Sequence, residues 1–184
     1  MDRFPPLAAD DLNEAQVRVA SALTQGPRGG LRGPFVAMLR APEFMDRAQR
    51  LGEYIRYDST IPARLRELAI IVTAACWRQS YEWHVHAPLA QKAGAAPSTV
   101  AALARGENGP DMADDERVVA DFCRAVHRDR AANDATFNAA RTLLGEATLV
   151  ELLGLCGYYA MLAMVLNVAR SPLPEGAVDM FATP

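Results

Sequence analysis

The residues best suited to chemistry are concentrated between Glu67 and His86. A nearly unbroken apolar run, Leu68–Cys76, is followed by a short polar and aromatic segment. The chain has three histidines, and two of them lie in that segment. Its side chains that hydrogen-bond or transfer protons are Gln79, Glu82, His84 and His86. This concentration beside the most apolar part of the chain predicts a functional site.

The spacing within this segment places three polar side chains together. At about 100° per residue, Gln79, Glu82 and His86 share one narrow stripe of a helix, whereas His84 lies on the other side. Glu82 and His86 are four residues apart and within reach of each other. A carboxylate beside an imidazole fixes its tautomer and raises its basicity, which suits proton transfer near neutral pH. Glu67 joins this group only if its helix packs antiparallel to the next.

Other interpretations of the same residues stay open. A Glu–His pair four residues apart is often a surface pair worth a few tenths of a kcal/mol. Glu67 has Arg64 one turn earlier as a competing partner. Glu82 and His86 also resemble half of a helical metal site, but a full site needs further ligands and the sequence has no HExxH pattern. We therefore expect no metal.

Composition sets the class of protein. The 184 residues are 51% hydrophobic and 22% charged, which predicts one folded domain with a substantial core. The net charge is −3 without a basic face, so we expect no nucleic-acid partner. The longest apolar runs, 68–76 and 160–166, are short against a membrane span of about 20 residues. No signal peptide is visible, so we expect no membrane association.

The cysteines indicate the cellular compartment. Cys76, Cys123 and Cys156 are few and odd in number, and none forms a Cys-x-x-Cys pair. This argues against a secreted disulfide framework and predicts a cytoplasmic protein whose cysteines are structural.

Apolar periodicity predicts an all-α chain. We expect an N-terminal helical arm over residues 1–60 and a core over residues 61–176, together one domain. Asp10 or Asp11 is the expected cap of the first helix. Pro88 is expected to kink or divide the helix that carries His86. The expected helices are 12–23, 35–40, 42–57, 62–76, 80–93, 97–105, 114–128, 134–144 and one from Thr148 to about Arg170.

Four segments resemble one known family. RLRELAIIVTAACWRQSYEWHVHAPLAQKAG is similar to the central motif of the carboxymuconolactone decarboxylase family, which shares its fold with alkylhydroperoxidase D. RGPFVAMLRAPEF and LGEYIRYDSTIP resemble the preceding region, and LVELLGLCGYYAMLAMVLNVARSPLPEG resembles the final helix. The resemblance implies an all-α bundle that forms homo-oligomers, often trimers or hexamers. It implies either decarboxylation in aromatic compound catabolism or peroxide reduction by a Cys-x-x-Cys pair.

The family pattern can be transferred residue by residue. In peroxide-reducing members a glutamate is followed by a cysteine twelve residues on, a second cysteine three further and a histidine four further. Here the glutamate is Glu67 and the histidine is His86, but the cysteine positions hold Gln79 and Glu82. Neither side chain forms a disulfide or attacks a peroxide as a thiolate, which argues against thiol peroxidase chemistry at this site.

The remaining residues suit proton transfer, and together with them the resemblance implies a cofactor-independent lyase or isomerase for a small carboxylated or lactone-like metabolite. His86 is the expected acid and base, Glu82 would orient it, and Glu67 would tune it or relay protons. The substrate-binding residues expected around this group are Gln79, Trp83, Tyr57 and Phe35. One alternative is a non-catalytic binding or assembly protein of the same fold, and a weaker one is a peroxide reductase.

Overall fold

The computed structural model describes residues 1–182, and this part of the chain folds into eight α-helices without a β-strand. The predicted all-α fold is confirmed. A 3₁₀ turn at Ala9–Asp11 precedes the first helix, and a π-helical turn at Tyr54–Asp58 extends the third. The helices are α1 Glu14–Gln25, α2 Pro34–Met38, α3 Pro42–Glu53, α4 Ala63–Cys76, α5 Ser80–Lys92, α6 Pro97–Ala104, α7 Asp114–Asp129 and α8 Asp134–Ala169.

Capping differs from the expected pattern at the first helix. Asn13, rather than Asp10 or Asp11, caps α1, because its side chain accepts from the Gln16 amide while the Gln16 side chain accepts from the Asn13 amide. Asp10 and Asp11 belong instead to the preceding 3₁₀ turn. This reciprocal pair satisfies two amides that otherwise have no partner inside the helix.

Helix α4 is the centre of the fold, as its apolar sequence predicts. It packs against α5, α6, α7 and α8. Its residues from Leu68 to Ala74 are almost completely buried, so the helix is covered on all sides. A helix that is apolar on every face is stable only in such an interior position.

A tight reversal turns the chain from α4 into α5. Arg78 adopts a left-handed conformation with φ 49°, and the Gln79 side chain accepts a 2.6 Å hydrogen bond from the Tyr81 amide at the start of α5. The two helices therefore run antiparallel, which is the arrangement that brings Glu67 beside His86. Helix α5 continues through Pro88 without being divided, and Gly94, with φ 108°, follows its end.

The hydrophobic core extends across the whole domain. One buried cluster includes residues from Val19 in α1 to Leu162 in α8. The N-terminal helices therefore contribute side chains to the same core as α4. The division into an arm over 1–60 and a core over 61–176 stays a prediction.

Helix α8 is interrupted where two separate helices are expected. Gly145 has a non-helical backbone, with φ 76° and ψ 167°, so Asp134–Ala169 bends at that point. By length and composition alone α8 could cross a membrane, but 56% of its most apolar window is buried within the domain, as in many core helices. Uninterrupted apolar runs in the sequence do not reveal this window, because polar residues interrupt it. The cytoplasmic location stays a prediction.

The segment after α8 is irregular and returns to the α4–α5 reversal. Arg78 donates a 2.6 Å hydrogen bond to the Phe181 carbonyl, and the Ser80 hydroxyl donates to the Asp179 carboxylate. The Phe181 ring meets Trp83 edge-on, with centroids 5.5 Å apart. These contacts hold the tail against the start of α5.

Candidate active site

Glu67, Glu82 and His86 converge in the structure. Nδ1 of His86 lies 2.7 Å from Oε2 of Glu67, and Nε2 of His86 lies 3.6 Å from Oε2 of Glu82. Each residue is at least 94% buried, with exposures of 6%, 4% and 2% respectively. The imidazole is therefore held between two carboxyl groups, one from α4 and one from its own helix.

The two carboxyl groups have different environments. Burial opposes ionisation of Glu67, but the hydrogen bond from His86 and the charges of His86, Arg56 and Arg66 outweigh it, so the pKa of Glu67 is lowered. Burial raises the pKa of Glu82, and the charges of His86, Arg56 and Arg28 offset this only in part. Glu67 is thus the ionised acceptor, whereas Glu82 holds its proton more strongly than an ordinary glutamate.

This difference assigns the tautomer of His86. An ionised Glu67 accepts a hydrogen bond, so Nδ1 of His86 carries the N–H that donates to it. Nε2 then faces Glu82 and is the atom available for proton exchange. Paired acidic groups whose environments separate their pKa values are typical of acid–base sites. The orienting contact comes from Glu67 rather than from Glu82, the residue expected to make it.

Arg64, the competing partner expected for Glu67, does not pair with Glu67 in the structure. Arg64 instead bridges α4 to α7, with its Nη atoms 2.7 Å from Asp115 and 2.5 Å from Glu116. Glu67 is left to His86, with Arg66 at a longer 3.7 Å.

A cavity of about 830 Å³ opens beside this group. Glu82 and His86 line it, whereas Glu67 lies behind the imidazole. Phe35 and Tyr57, two expected substrate contacts, also line the cavity. Its volume is within the range of cavities that hold small molecules.

The other two expected substrate contacts are not among the lining residues. The Gln79 amide donates a 2.7 Å hydrogen bond to Asn167 while its carbonyl caps α5. Trp83 is buried and packs against Phe181 from the tail. Both side chains therefore brace the α4–α5 reversal in this structure. His84 is exposed on the opposite face of α5 and reaches the edge of the cavity.

Residues far away in sequence complete the cavity. Among its described lining residues there are three guanidinium groups, from Arg28, Arg32 and Arg56, and one carboxyl group, from Glu82. Burial of Arg56 opposes its charge, but Tyr159, Tyr57 and the carboxyl groups of Glu67 and Glu82 keep its pKa raised. The cavity therefore combines an acid–base group with a positive lining.

Tyr159 of α8 fixes the other side of the imidazole. Its ring meets His86 edge-on, with centroids 5.2 Å apart, and stacks edge-on with Tyr158 at 5.4 Å. Burial raises the pKa of Tyr159, and it raises that of Tyr158 to about 12, so both hydroxyls stay neutral. These tyrosines fall in the apolar part of α8, where sequence alone suggests only core packing.

The sequence does not identify Arg56 and Arg28 as cavity residues, because both lie far in sequence from the Gln79–His86 segment. Arg56 lies in the π-helical turn after α3, a type of irregularity that often occurs at functional sites. Arg28 lies in the loop between α1 and α2, with its guanidinium 4.9 Å from the centre of the Phe35 ring and 3.4 Å from the Tyr158 hydroxyl. Arg56 lies within LGEYIRYDSTIP, a segment that resembles the family, and this resemblance is the one sequence feature that could have marked Arg56 as a site residue.

Comparison with known proteins confirms the family resemblance. Residues 42–108, from α3 to just beyond α6, match the model of the carboxymuconolactone decarboxylase family. This segment includes Glu67, Glu82 and His86. No curated protein matches the chain.

Solved structures confirm the alkylhydroperoxidase D-like fold. One is an uncharacterized peroxidase-related protein with an alkylhydroperoxidase AhpD core from Ralstonia eutropha JMP134, with a TM-score of 0.74 and 16% identity over 98% of this chain and 94% of that one. Another is an uncharacterized peroxidase-related protein from Silicibacter sp. TM1040, with a TM-score of 0.76 and 13% identity over 96% of this chain and 93% of that one. At these identities the similarity defines the fold.

Proposed function

We propose that the protein is a cofactor-independent lyase or isomerase of the carboxymuconolactone decarboxylase type, acting on a small lactone-like carboxylate. The observation that carries this proposal is the placement of His86 between Glu67 and Glu82 at the wall of the cavity. Proton transfer by a positioned side chain contributes roughly 10²–10⁴-fold to a rate. Such a group needs no redox partner to move a proton.

The positive lining supports an anionic substrate. Two glutamates beside a substrate carboxylate are unfavourable unless one is protonated or a cation intervenes. The raised pKa of Glu82 favours the first condition, and the charge of Arg56 meets the second. Arg28 adds a buried Nε atom without a hydrogen-bond partner in residues 1–182, and a substrate carboxylate would satisfy it.

The proposed lyase step assigns one task to each residue. The bond from the substrate carbon to its carboxylate breaks, carbon dioxide leaves, and the electron pair passes into the conjugated lactone carbonyl. Glu82 first passes its proton to Nε2 of His86, the imidazolium then delivers that proton from Nε2 to carbon, and solvent returns a proton to Glu82. Glu67 holds the ring in the tautomer that makes this possible. In an isomerase, the same Nε2 atom would first take a proton from carbon and return it at another position.

The cavity gives the thiol peroxidase alternative no cysteine to use. Among its described lining residues there is none, and Gln79 and Glu82 stand at the family positions for the redox pair. The non-catalytic alternative predicts that the three polar residues face open solvent, whereas they are buried and converge.

Release of carbon dioxide from carboxymuconolactone and simpler lactone carboxylates tests the proposal. We expect wild-type release, with about a hundredfold loss in His86→Ala and Glu82→Gln. Glu14→Gln, an exposed change in the first turn of α1, is the matched control and should behave as wild type. Equal rates in all four proteins would contradict the proposed roles.

A further inference from the structure

A second cluster of reactive side chains lies between α4, α7 and α8. The Sγ atoms of Cys123 and Cys156 are 3.5 Å apart, although 33 residues separate them in sequence. Both thiols are essentially inaccessible, with exposures of 0% and 1%. The sulfurs are close enough that a further approach of about 1.5 Å would reach the disulfide bonding distance of about 2.0 Å.

Polar neighbours surround this thiol pair. His127 lies one helical turn after Cys123, and its Nε2 is 2.9 Å from the Thr73 hydroxyl of α4. The hydrogen bond between the thiols lowers the pKa of Cys156, with further contributions from His127 and Thr73, and it raises the pKa of Cys123. One sulfur is thereby favoured as a thiolate while the other keeps its proton, which is the arrangement that thiol oxidation requires.

We propose that Cys123 and Cys156 form a dithiol–disulfide pair that cross-links α7 to α8 when a small hydroperoxide oxidises it. This inference is independent of the proposed lyase function, because the described lining of the His86 cavity contains neither residue.

The oxidation balances with hydrogen peroxide as the two-electron oxidant. The Cys156 thiolate attacks one peroxide oxygen, the O–O bond breaks, and hydroxide leaves and takes up a proton to become water. The Cys156 sulfenic acid is then attacked by Cys123 sulfur, which forms the S–S bond and releases a second water. Two thiols and one peroxide thus give one disulfide and two waters.

A recess lies near the pair, although neither Cys123 nor Cys156 is among its described lining residues. This recess of about 210 Å³ is lined by Val72 of α4 and by Arg124, the neighbour of Cys123. The recess also includes Cys76, whose residue is exposed. Although the residue as a whole is exposed, partial desolvation by the surrounding recess raises the pKa of the Cys76 thiol and disfavours its thiolate. The structure therefore separates a favoured buried pair from a less reactive third cysteine.

Thiol counting on the full chain tests this pairing. Reduced protein should accept N-ethylmaleimide at all three cysteines after denaturation. After treatment with hydrogen peroxide, the wild type should retain one alkylated thiol, at Cys76, and peptide mapping without reductant should find Cys123 joined to Cys156. Recovery of all three thiols, or a disulfide through Cys76, would overturn the proposal.

Three substitutions separate a specific pair from general oxidation. Cys76→Ser should still lose two thiols on oxidation, and dithiothreitol should restore them. Cys123→Ser should form no intramolecular disulfide and should accumulate oxygen adducts on Cys156. Thr73→Val should form the disulfide more slowly, because it removes the hydroxyl beside His127. Loss of the disulfide in Cys76→Ser would contradict the proposal, and this readout does not depend on whether Cys123→Ser folds.

Discussion

His86 donates a hydrogen bond through Nδ1 to Glu67, at 2.7 Å, although the two residues lie on different helices and 19 positions apart in sequence. The antiparallel packing of α4 and α5 creates this contact. It leaves Nε2 directed toward Glu82 at 3.6 Å and toward the cavity. The contact thus adds Glu67 to the Glu82–His86 pair of α5 and fixes the tautomer of His86 that carries its proton on Nδ1.

The buried Glu82 carboxyl group should lower stability as the pH rises. Its folded-state pKa is raised, so folding favours the protonated form, and that contribution is lost as the pH rises through the folded pKa. Glu82→Gln should therefore unfold at a higher temperature than wild type above the ordinary glutamate pKa. The difference should vanish in more acidic solution.

Thermal unfolding across this pH range measures the effect. Each unit of pKa difference corresponds to about 1.4 kcal/mol of stability. Glu14→Gln is an exposed control and should show no such pH-dependent gain. A Glu82→Gln protein that is less stable than wild type at neutral pH would refute the prediction.

Arg56 should matter for the binding of an anionic substrate. Arg56→Met removes the cation beside Glu67 and Glu82, and the loss of a charged hydrogen bond typically costs about 1.5–3 kcal/mol. Steady-state kinetics with a lactone carboxylate should show KM raised roughly tenfold to a hundredfold. Arg47→Met, at a side chain that is 74% exposed, is the matched control. An unchanged KM in Arg56→Met would remove Arg56 from the binding site.

Gly33 should tolerate no side chain without moving the cavity wall. Its φ is 57°, and a Cβ atom there would lie 2.5 Å from the Tyr81 ring. Gly33→Ala should lower the free energy of unfolding by about 1–3 kcal/mol. Gly106→Ala shares the positive φ, at 76°, but meets no described atom within 4 Å and is the matched control. If urea denaturation shows the same loss in free energy of unfolding for Gly33→Ala and Gly106→Ala, the contact with Tyr81 does not destabilise the protein and the prediction is wrong.

The homo-oligomer implied by the family resemblance stays a prediction, and α8 offers a surface for it. Val150, Leu153, Met164 and Val168 are exposed apolar residues on this helix, with exposures of 67%, 43%, 45% and 59%. We expect self-association through this face, and light scattering after gel filtration should report a trimer or hexamer.

A charge on this face should weaken the assembly. Val168→Glu should shift the measured mass toward the monomer, because association would bury the new carboxylate. The control Val178→Glu places the same charge on an exposed residue of the tail. A wild-type monomer would contradict the prediction.

The sequence predicts the fold and the convergence of Glu67, Glu82 and His86 well because both depend on local patterns. The apolar run of α4, the break at Trp77–Gln79 and the non-helical Gly145 follow from residue types. Glu82 and His86 follow from helical spacing, and family resemblance adds Glu67. These features need only short-range geometry and one antiparallel pair of helices.

Tertiary contacts decide which other side chains line the cavity, and no local sequence pattern predicts those contacts. Gln79 lies on the stripe with Glu82 and His86, but Asn167 of α8 and the start of α5 engage both ends of its amide. Trp83 is covered by Phe181 from the tail. Conversely, Arg56 reaches the cavity from a π-helical turn whose position depends on packing rather than on periodicity.

Proton transfer to and from carbon at Nε2 of His86 is the central claim. Proton NMR of a candidate lactone carboxylate in deuterated water measures it directly, by deuterium incorporated at the reacting carbon. We predict incorporation with wild-type protein, and a loss of about a hundredfold in both His86→Gln and Glu82→Gln. Incorporation at wild-type rates in His86→Gln would contradict the account.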